Sequence, residues 1–518
     1  MRDVMTLAGT GPHAPLAAPA AQAWLPQLSR ATLLRLPPAV RRPRFDSALL
    51  RPGILHLGCG AFHRAHQALL TQEAIEAEAG PGAPPPWGIV GVSLRDAAVV
   101  HALDRQDGLY TVLERGATGN SATVVASVCR RVFAPEQPAM LRRLLAGPEL
   151  RIVTLTVTPA GYCIDPVTGR LDSYDPLIVS DLQTPYPRTA IGVLVRAFAD
   201  RRAAGMQPPV VMSCDNLASN SRVLRQMCVD FAALRDDRLA CWIAGHVQFA
   251  ATMVDRIVPA PTADDRFHAS TACGLEDGAA VSAEPFRQWV IERFDGPRPR
   301  WEAAGAQFVG DIAPWEASKL RLLNGGHLAL TFLGQLAGCA TVAETVALPG
   351  CAGYLRRFMC DEQKPTLPPS DHDIDAYAGQ LIERWKNPAT GHRLMRVGRD
   401  ASAKLAARLL TPLAENRNLG RPAPCTVLAI AAWMRCAAGV DDLGRPFAVD
   451  DVQDQRLRML ATETGADSQA LVERLLRMAE IFGFAAAEDV PLRRDLVRAV
   501  QALHTYGARA ALASQSWE

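Results

Sequence analysis

The 518-residue chain is 49% apolar and 21% charged, an ordinary globular balance, and its length suits a two-domain enzyme with a sizeable core. A formal net charge of +2 with interspersed signs gives no basic field for nucleic acid, and no apolar run is long enough to span a bilayer. Twelve cysteines without a CxxC pair argue against a thioredoxin-like site or a zinc ribbon, so the thiols are expected to be reduced and mostly buried.

In chain order, residues 1–28 are rich in Ala, Pro and Gly and lack periodicity, which predicts a disordered tail. Pro12, Pro15, Pro19 and Pro26 interrupt any secretory leader, so a soluble, cytoplasmic protein is expected. Arg41, Arg42 and Arg44 read as a solvated linker. Regular structure begins at Ile54, Leu55, His56 and Leu57, a strand that ends in the turn Gly58-Cys59-Gly60. A helix over residues 65–79, a proline-rich loop over 81–86 and a strand over 88–92 complete a β-turn-α-β unit. Further strands over 152–157 and 210–212, with a helix over 190–204 between them, point to a mainly parallel sheet. Beyond Pro314 the pattern turns to helix, over residues 318–336, 374–385, 401–410 and 468–482. The predicted class is α/β: an N-terminal Rossmann-like doubly wound domain over 29–308, then a mainly α-helical C-terminal domain over 309–518. The boundary is expected between Phe294 and Trp315.

Between strand and helix, Gly58-Cys59-Gly60 offers a dinucleotide pyrophosphate a tight turn, close backbone approach and amides at a helix N-terminus. The fingerprint is incomplete, because His63 stands where GxGxxG has its third glycine. After the second strand, Asp96 would accept from an adenosine ribose and disfavour a 2′-phosphate, whereas Arg95 would welcome one. NAD therefore leads, NADP is not excluded, and a solvated strand-to-helix turn is the competing account of both residues.

The segment from Glu316 to His327 also carries Lys319 and Asn324. On a regular helix turning about 100° per residue, these four side chains fan over about 140° and can converge on one site. The plain alternative is an amphipathic helix with a solvated polar face.

The run from His56 to Gln67, with Lys319-x4-Asn324-x2-His327, resembles the polyol-specific long-chain dehydrogenases, the family of mannitol 2-dehydrogenase and fructuronate reductase. Leu155-Thr-Val-Thr158, Ser213-Cys-Asp215-Asn216, Thr252-Met-Val-Asp255-Arg256 and Glu284-Pro-Phe-Arg-Gln-Trp289 extend the resemblance over about residues 50–410. Gly161-Tyr-Cys163, Gly305-Ala-Gln-Phe308 and Asn387-Pro388 before His392-Arg393 are nearest in appearance to its fructuronate reductase (D-mannonate oxidoreductase) branch.

The resemblance implies an NAD-dependent, metal-independent oxidoreductase that interconverts a ketone and a secondary alcohol on a hexuronate, with D-fructuronate and NADH giving D-mannonate. A mannitol 2-dehydrogenase or another polyol dehydrogenase is the alternative within the family. It implies cofactor contacts from Gly58, Gly60, Ala61, Phe62, His63, Arg64, Asp96 and Thr158. Lys319 takes the base position, Asn216 and Asn324 the oxyanion donors, and His327 a substrate or lysine contact. Glu316 would relay protons, and Asp255 would position lysine or substrate. Arg396 and Lys404 align with substrate contacts, with His392, Arg393 and Arg399 nearby to suit a carboxylate. A monomer or weak oligomer is implied, acting on a small sugar acid or polyol. Pro159 and Gly326 depart from the family, where an acidic residue and a serine are common. Outside the family, a zinc-dependent dehydrogenase lacks a compact ligand set here, and an inactive nucleotide-binding regulator would be expected to have lost part of the Lys319, Asn324 and His327 set.

Overall fold

The computed structural model describes residues 25–80 and 84–514. Six strands form an all-parallel sheet: β1 (Pro52–Leu57), β2 (Gly88–Ser93), β3 (Val128–Phe133), β4 (Ile152–Leu155), β5 (Val210–Ser213) and β6 (Phe249–Ala250). Their order is β3-β2-β1-β4-β5-β6, so the winding reverses between β1 and β4 and opens a crevice beyond the strand ends there. Side chains alternate along β1. Leu55 and Leu57 pack with the helices Pro138–Ala146, Ala190–Ala203 and Asn220–Ala233, while Ile54 packs with the helix Gln67–Glu78 on the other face. A three-stranded sheet of Thr252–Asp255, Gln288–Glu292 and Gln307–Val309 accompanies it and carries Asp255.

The C-terminal domain is helical, with Gly325–Leu336 packed on Pro424–Cys436 and both touching Val490–Ala513. Its core is the apolar surface of these helices, from Leu322 to Leu512. No helix among the described residues is long and apolar enough to cross a membrane. The cysteines are unpaired and mostly buried, with Cys241 exposed.

Four expectations are corrected. Residues 1–24 of the expected tail lie outside the described residues, but 25–28 belong to the fold: Leu28 is fully buried and its amide donates to the Glu276 carbonyl at 2.9 Å. Arg41 is no linker residue, since Val40–Arg41 pairs alongside Gly119–Val125 and the guanidinium reaches Glu73 at 2.9 Å. The helix expected over 65–79 runs over Gln67–Glu78, and a separate short helix, Ala61–Ala65, precedes it across a break at His66 (φ −123°, ψ −88°). The helix expected over 318–336 is α-helical over Ala313–Ser318, π-helical over Lys319–Asn324 and α-helical again over Gly325–Leu336. Two further π-helical segments, Phe358–Gln363 and Ala406–Leu410, touch the first. Such wide turns are rare, and they cluster where side chains must be re-aimed at a site.

Candidate active site

Beyond the ends of β1, β2 and β4 lies a cavity of about 830 Å³. Gly58, Gly60, Ala61, Arg64, Asp96 and Thr158 line it, as do Arg95, Arg188 and Arg266. Gly58 adopts φ +97°, and a Cβ there would lie 2.1 Å from the Thr156 carbonyl oxygen, so no other residue fits. Gly60 caps the helix Ala61–Ala65 in open space, which leaves the backbone approachable. A glycine turn beside several guanidinium groups fits a dinucleotide pyrophosphate. Arg188 and Arg266 belong to no local motif, so only the fold brings them here. Asp96 is exposed, and one of its oxygens accepts the Ala98 amide at 2.8 Å.

Phe62 and His63, expected among the cofactor contacts, do not line this cavity. His63 is fully buried and its ring stacks on His56 of β1, with centroids 3.5 Å apart and planes 13° apart. Two imidazoles thus make the helix-to-strand contact that a third glycine makes elsewhere. Thr154, Thr156 and the Gly58 carbonyl hold His56 at 2.7, 2.9 and 3.0 Å, and burial pushes its pKa down to about 3. Burial likewise drives His63 well below the usual range, so both rings are neutral. Phe62 stacks on His66 at 5.1 Å, and the Arg64 guanidinium is spent on the Gly60 and Ala279 carbonyls.

Thr158 links the cavity to the residues expected to be catalytic. Its backbone adopts φ +64°, a conformation strained for a β-branched residue, and the Asp215 carboxylate holds it there through the Val157 and Thr158 amides at 3.0 and 2.8 Å. The next residue, Asn216, accepts from Lys319 Nζ at 2.6 Å, and so does the Val254 carbonyl, also at 2.6 Å. Because an ammonium only donates, the amide atom facing it must be the oxygen, which leaves the Asn216 NH₂ for a ligand. Lys319 is half-buried in the cleft. Burial lowers its pKa; Asp255 and Glu316 oppose that shift, and Arg384 and Arg408 add to it.

Asp255 does not pair with its neighbour Arg256, which is engaged by Glu114 and backbone carbonyls. It accepts two hydrogen bonds from Arg384, at 2.7 and 2.9 Å, and one from Tyr377 at 3.2 Å. The same guanidinium holds Glu284 at 2.7 and 3.0 Å. Burial works against the charge on Asp255, but Arg384 and Lys319 outweigh it and hold the carboxyl below the usual range. A buried acid–arginine–acid clamp therefore joins the two domains behind Lys319. The sequence reading missed Arg384, although its spacing from Tyr377 and Leu381 puts it on the buried stripe of the helix Ile374–Trp385.

His327 is buried next to Trp385 and His392, and burial keeps it well below the usual range and hence neutral. Gly326 makes room for this arrangement: a Cβ there would lie 2.5 Å from the Trp385 ring, so its role is space rather than backbone freedom. Asn324 is half-buried at the end of the π-helical turn. Glu316 accepts the Ser219 amide at 3.2 Å, and burial raises its pKa.

The remaining substrate candidates are spread out. His392 meets His327 edge-on at 5.0 Å; burial, helped by the Arg396 charge, pushes its pKa down to about 4. Lys404 is half-buried and donates to the Arg399 carbonyl, while Arg399 is exposed and pairs with Asp450. Arg393 is exposed, with its charge acting on Glu344 rather than on the lysine. Arg408, absent from the sequence reading, acts electrostatically on Lys319, His327 and Lys404. Among the described residues no group of three or more His, Cys, Asp or Glu is arranged to hold a metal ion.

Comparison with known proteins agrees with this architecture. The mannitol dehydrogenase Rossmann domain model matches residues 52–303, and the mannitol dehydrogenase C-terminal domain model matches 311–504. D-mannonate oxidoreductase of Escherichia coli (strain K12) is 41% identical over 474 residues, 90% of this chain and 95% of that one. The uncharacterized oxidoreductase YeiQ of the same organism is also 41% identical, over 92% of this chain and 97% of that one. Mannitol 2-dehydrogenase of Pseudomonas fluorescens, solved as a ternary complex with NAD and D-mannitol, is 36% identical with a TM-score of 0.78, covering 94% of this chain and 98% of that one. The chain belongs to the mannitol dehydrogenase family and is an oxidoreductase.

Proposed function

We propose that this oxidoreductase is NAD-dependent and metal-independent and reduces a hexuronate, converting D-fructuronate and NADH to D-mannonate. The observation that carries this reading is the fixing of Lys319 Nζ by two acceptors, Asn216 and Val254. With two of its three N–H groups committed, the ammonium keeps one N–H for a substrate oxygen. Once deprotonated, the amine keeps both acceptors and presents a lone pair in the same direction. One nitrogen thus serves as acid for ketone reduction and as base for alcohol oxidation.

Bound against Gly58, Gly60 and Thr158, the dinucleotide would supply hydride to the carbonyl carbon. NAD is supported by the cavity, by exposed Asp96, and by the NAD held in the mannitol 2-dehydrogenase complex. The NH₂ groups of Asn216 and Asn324 donate to the oxygen as it gains charge, and Lys319 then delivers its proton. Glu316, whose raised pKa suits proton exchange, returns a proton from solvent. His327 offers a neutral N–H to a substrate hydroxyl. The choice of a uronate is supported by the D-mannonate oxidoreductase relative.

Purified protein assayed for NADH oxidation with D-fructuronate and D-fructose side by side tests the reading. Preference for fructuronate, abolished in Lys319→Ala, is the expected result. Preference for fructose would move the enzyme to the mannitol branch.

A further inference from the structure

Among the described residues the Arg408 guanidinium has no counter-ion. It lies half-buried in the π-helical segment Ala406–Leu410, packed against the segment that presents Lys319 and Asn324. The two backbones approach closely, since a Cβ on Gly325 would lie 3.1 Å from the Arg408 carbonyl oxygen. Arg408 makes no hydrogen bond or ion pair with another described residue. Its neighbours differ: Arg321 pairs with Glu415, Arg417 with Asp489, and Arg384 with Asp255 and Glu284.

A desolvated cation without a partner is unfavourable unless a ligand completes it. Burial alone shifts Arg408, down to about 10, with no acid offsetting the effect. Its segment packs on the one that carries Lys319 and Asn324, and its charge acts on Lys319, His327 and Lys404, which puts it beside these residues. The acids nearest Lys319 are already taken, Asp255 by Arg384 and Glu316 by the Ser219 amide. Lys404 and Arg399 are tied to each other and to Asp450. The missing anion must therefore arrive with the ligand, and a planar fork of donors matches a carboxylate.

We propose that Arg408 is the carboxylate anchor of the substrate site, and that the substrates are ketoses bearing a carboxylate at the end of the chain away from the ketone. The proposal rests on the reading of Lys319 as the proton donor to that ketone. It assigns to Arg408 the selectivity that the sequence placed on His392, Arg393 and Arg399.

The test combines binding with turnover in wild type, Arg408→Met and Arg408→Lys. Dissociation constants of D-mannonate and D-mannitol are measured on the NAD complex, and kcat and KM are measured with D-fructuronate and NADH. Wild type is expected to favour mannonate, and Arg408→Met to lose that preference by on the order of 100-fold, chiefly through KM for fructuronate. Arg408→Lys should fall between, and unchanged NADH binding shows that the variants are folded. If fructuronate is turned over but Arg408→Met keeps the mannonate preference, the anchor is wrong and the proposed reaction stands. If the preference depends on Arg408 but no fructuronate is reduced, the anchor stands and the proposed reaction falls. Equal binding of mannonate and mannitol by wild type overturns the anchor outright and leaves Arg408 a solvated side chain.

Discussion

The indole Nε1–H of Trp385 donates to Nε2 of His327 at 2.8 Å, which fixes the neutral histidine as its Nδ1–H tautomer. An indole nitrogen only donates, so His327 has no alternative on that side. In the proposed reaction its remaining N–H is then a fixed donor for a substrate hydroxyl.

Replacing Trp385 with phenylalanine removes the donor and leaves the ring free to exchange tautomers. The expected result is a loss of about tenfold in kcat/KM, the worth of one hydrogen bond, with NADH binding unaffected. Gly326→Ser should produce the same defect by driving a Cβ into the indole, which lies 2.5 Å away. In the Trp385→Phe background the clash disappears, so the added loss from Gly326→Ser should be smaller than in wild type. Steady-state kinetics of the four proteins measures this coupling, and full additivity would count against it.

The lowered pKa of Lys319 sets opposite pH limbs for the two reaction directions. Ketone reduction needs the ammonium, so its kcat/KM falls as pH rises through the lysine's pKa, below the usual lysine range. Alcohol oxidation needs the amine and rises through the same pKa. Glu316→Gln removes a negative charge that supports the ammonium, and both limbs should move to lower pH. Survival of either limb in Lys319→Ala would show that another group titrates.

Arg384→Met leaves Asp255 and Glu284 buried without their cation. A stability loss of about 3–5 kcal/mol is expected, read by denaturant unfolding. The loss should be largest near neutral pH and shrink as pH falls and the stranded carboxyls take up protons. A loss independent of pH would mean that packing, not charge, is what Arg384 supplies.

At the cofactor turn, Gly58→Ala meets both a positive φ and a carbonyl 2.1 Å away, so the turn itself must deform. Gly60→Ala meets only the Gly58 carbonyl oxygen at 3.8 Å. NADH titration by fluorescence should therefore show weaker binding in both, about tenfold or more for Gly58→Ala, with a lower melting temperature in Gly58→Ala alone.

Much of this was legible in the sequence because its signals are local. The short apolar run of β1, the glycine turn after it and the helical periodicity beyond Pro314 each follow from nearest neighbours. Asn216 and Lys319 could be paired in advance only through resemblance to a family, since they come from different domains. The π-helical turn at Lys319–Asn324 has the same composition as an α-helical one, so tertiary packing alone decides it. His63 reads as a defective glycine until His56 is seen stacked on it. Arg384 and Arg408 look alike in sequence, yet one is doubly paired and the other unpaired, a difference that lives wholly in the fold.

The wide turn at Lys319–Asn324 also makes the winding of this segment a functional constraint. Each i to i+5 bond encloses one residue more than an α-helical bond, so the segment behaves as a standing one-residue insertion. Deleting that residue would restore an unbroken α-helix and improve its backbone. It would leave the flanking helices in place, whereas tightening all six residues into α-helical turns would swing everything from Gly325 onward by about 100° about the axis relative to Lys319. His327 would lose its register with the lysine and with Trp385 together.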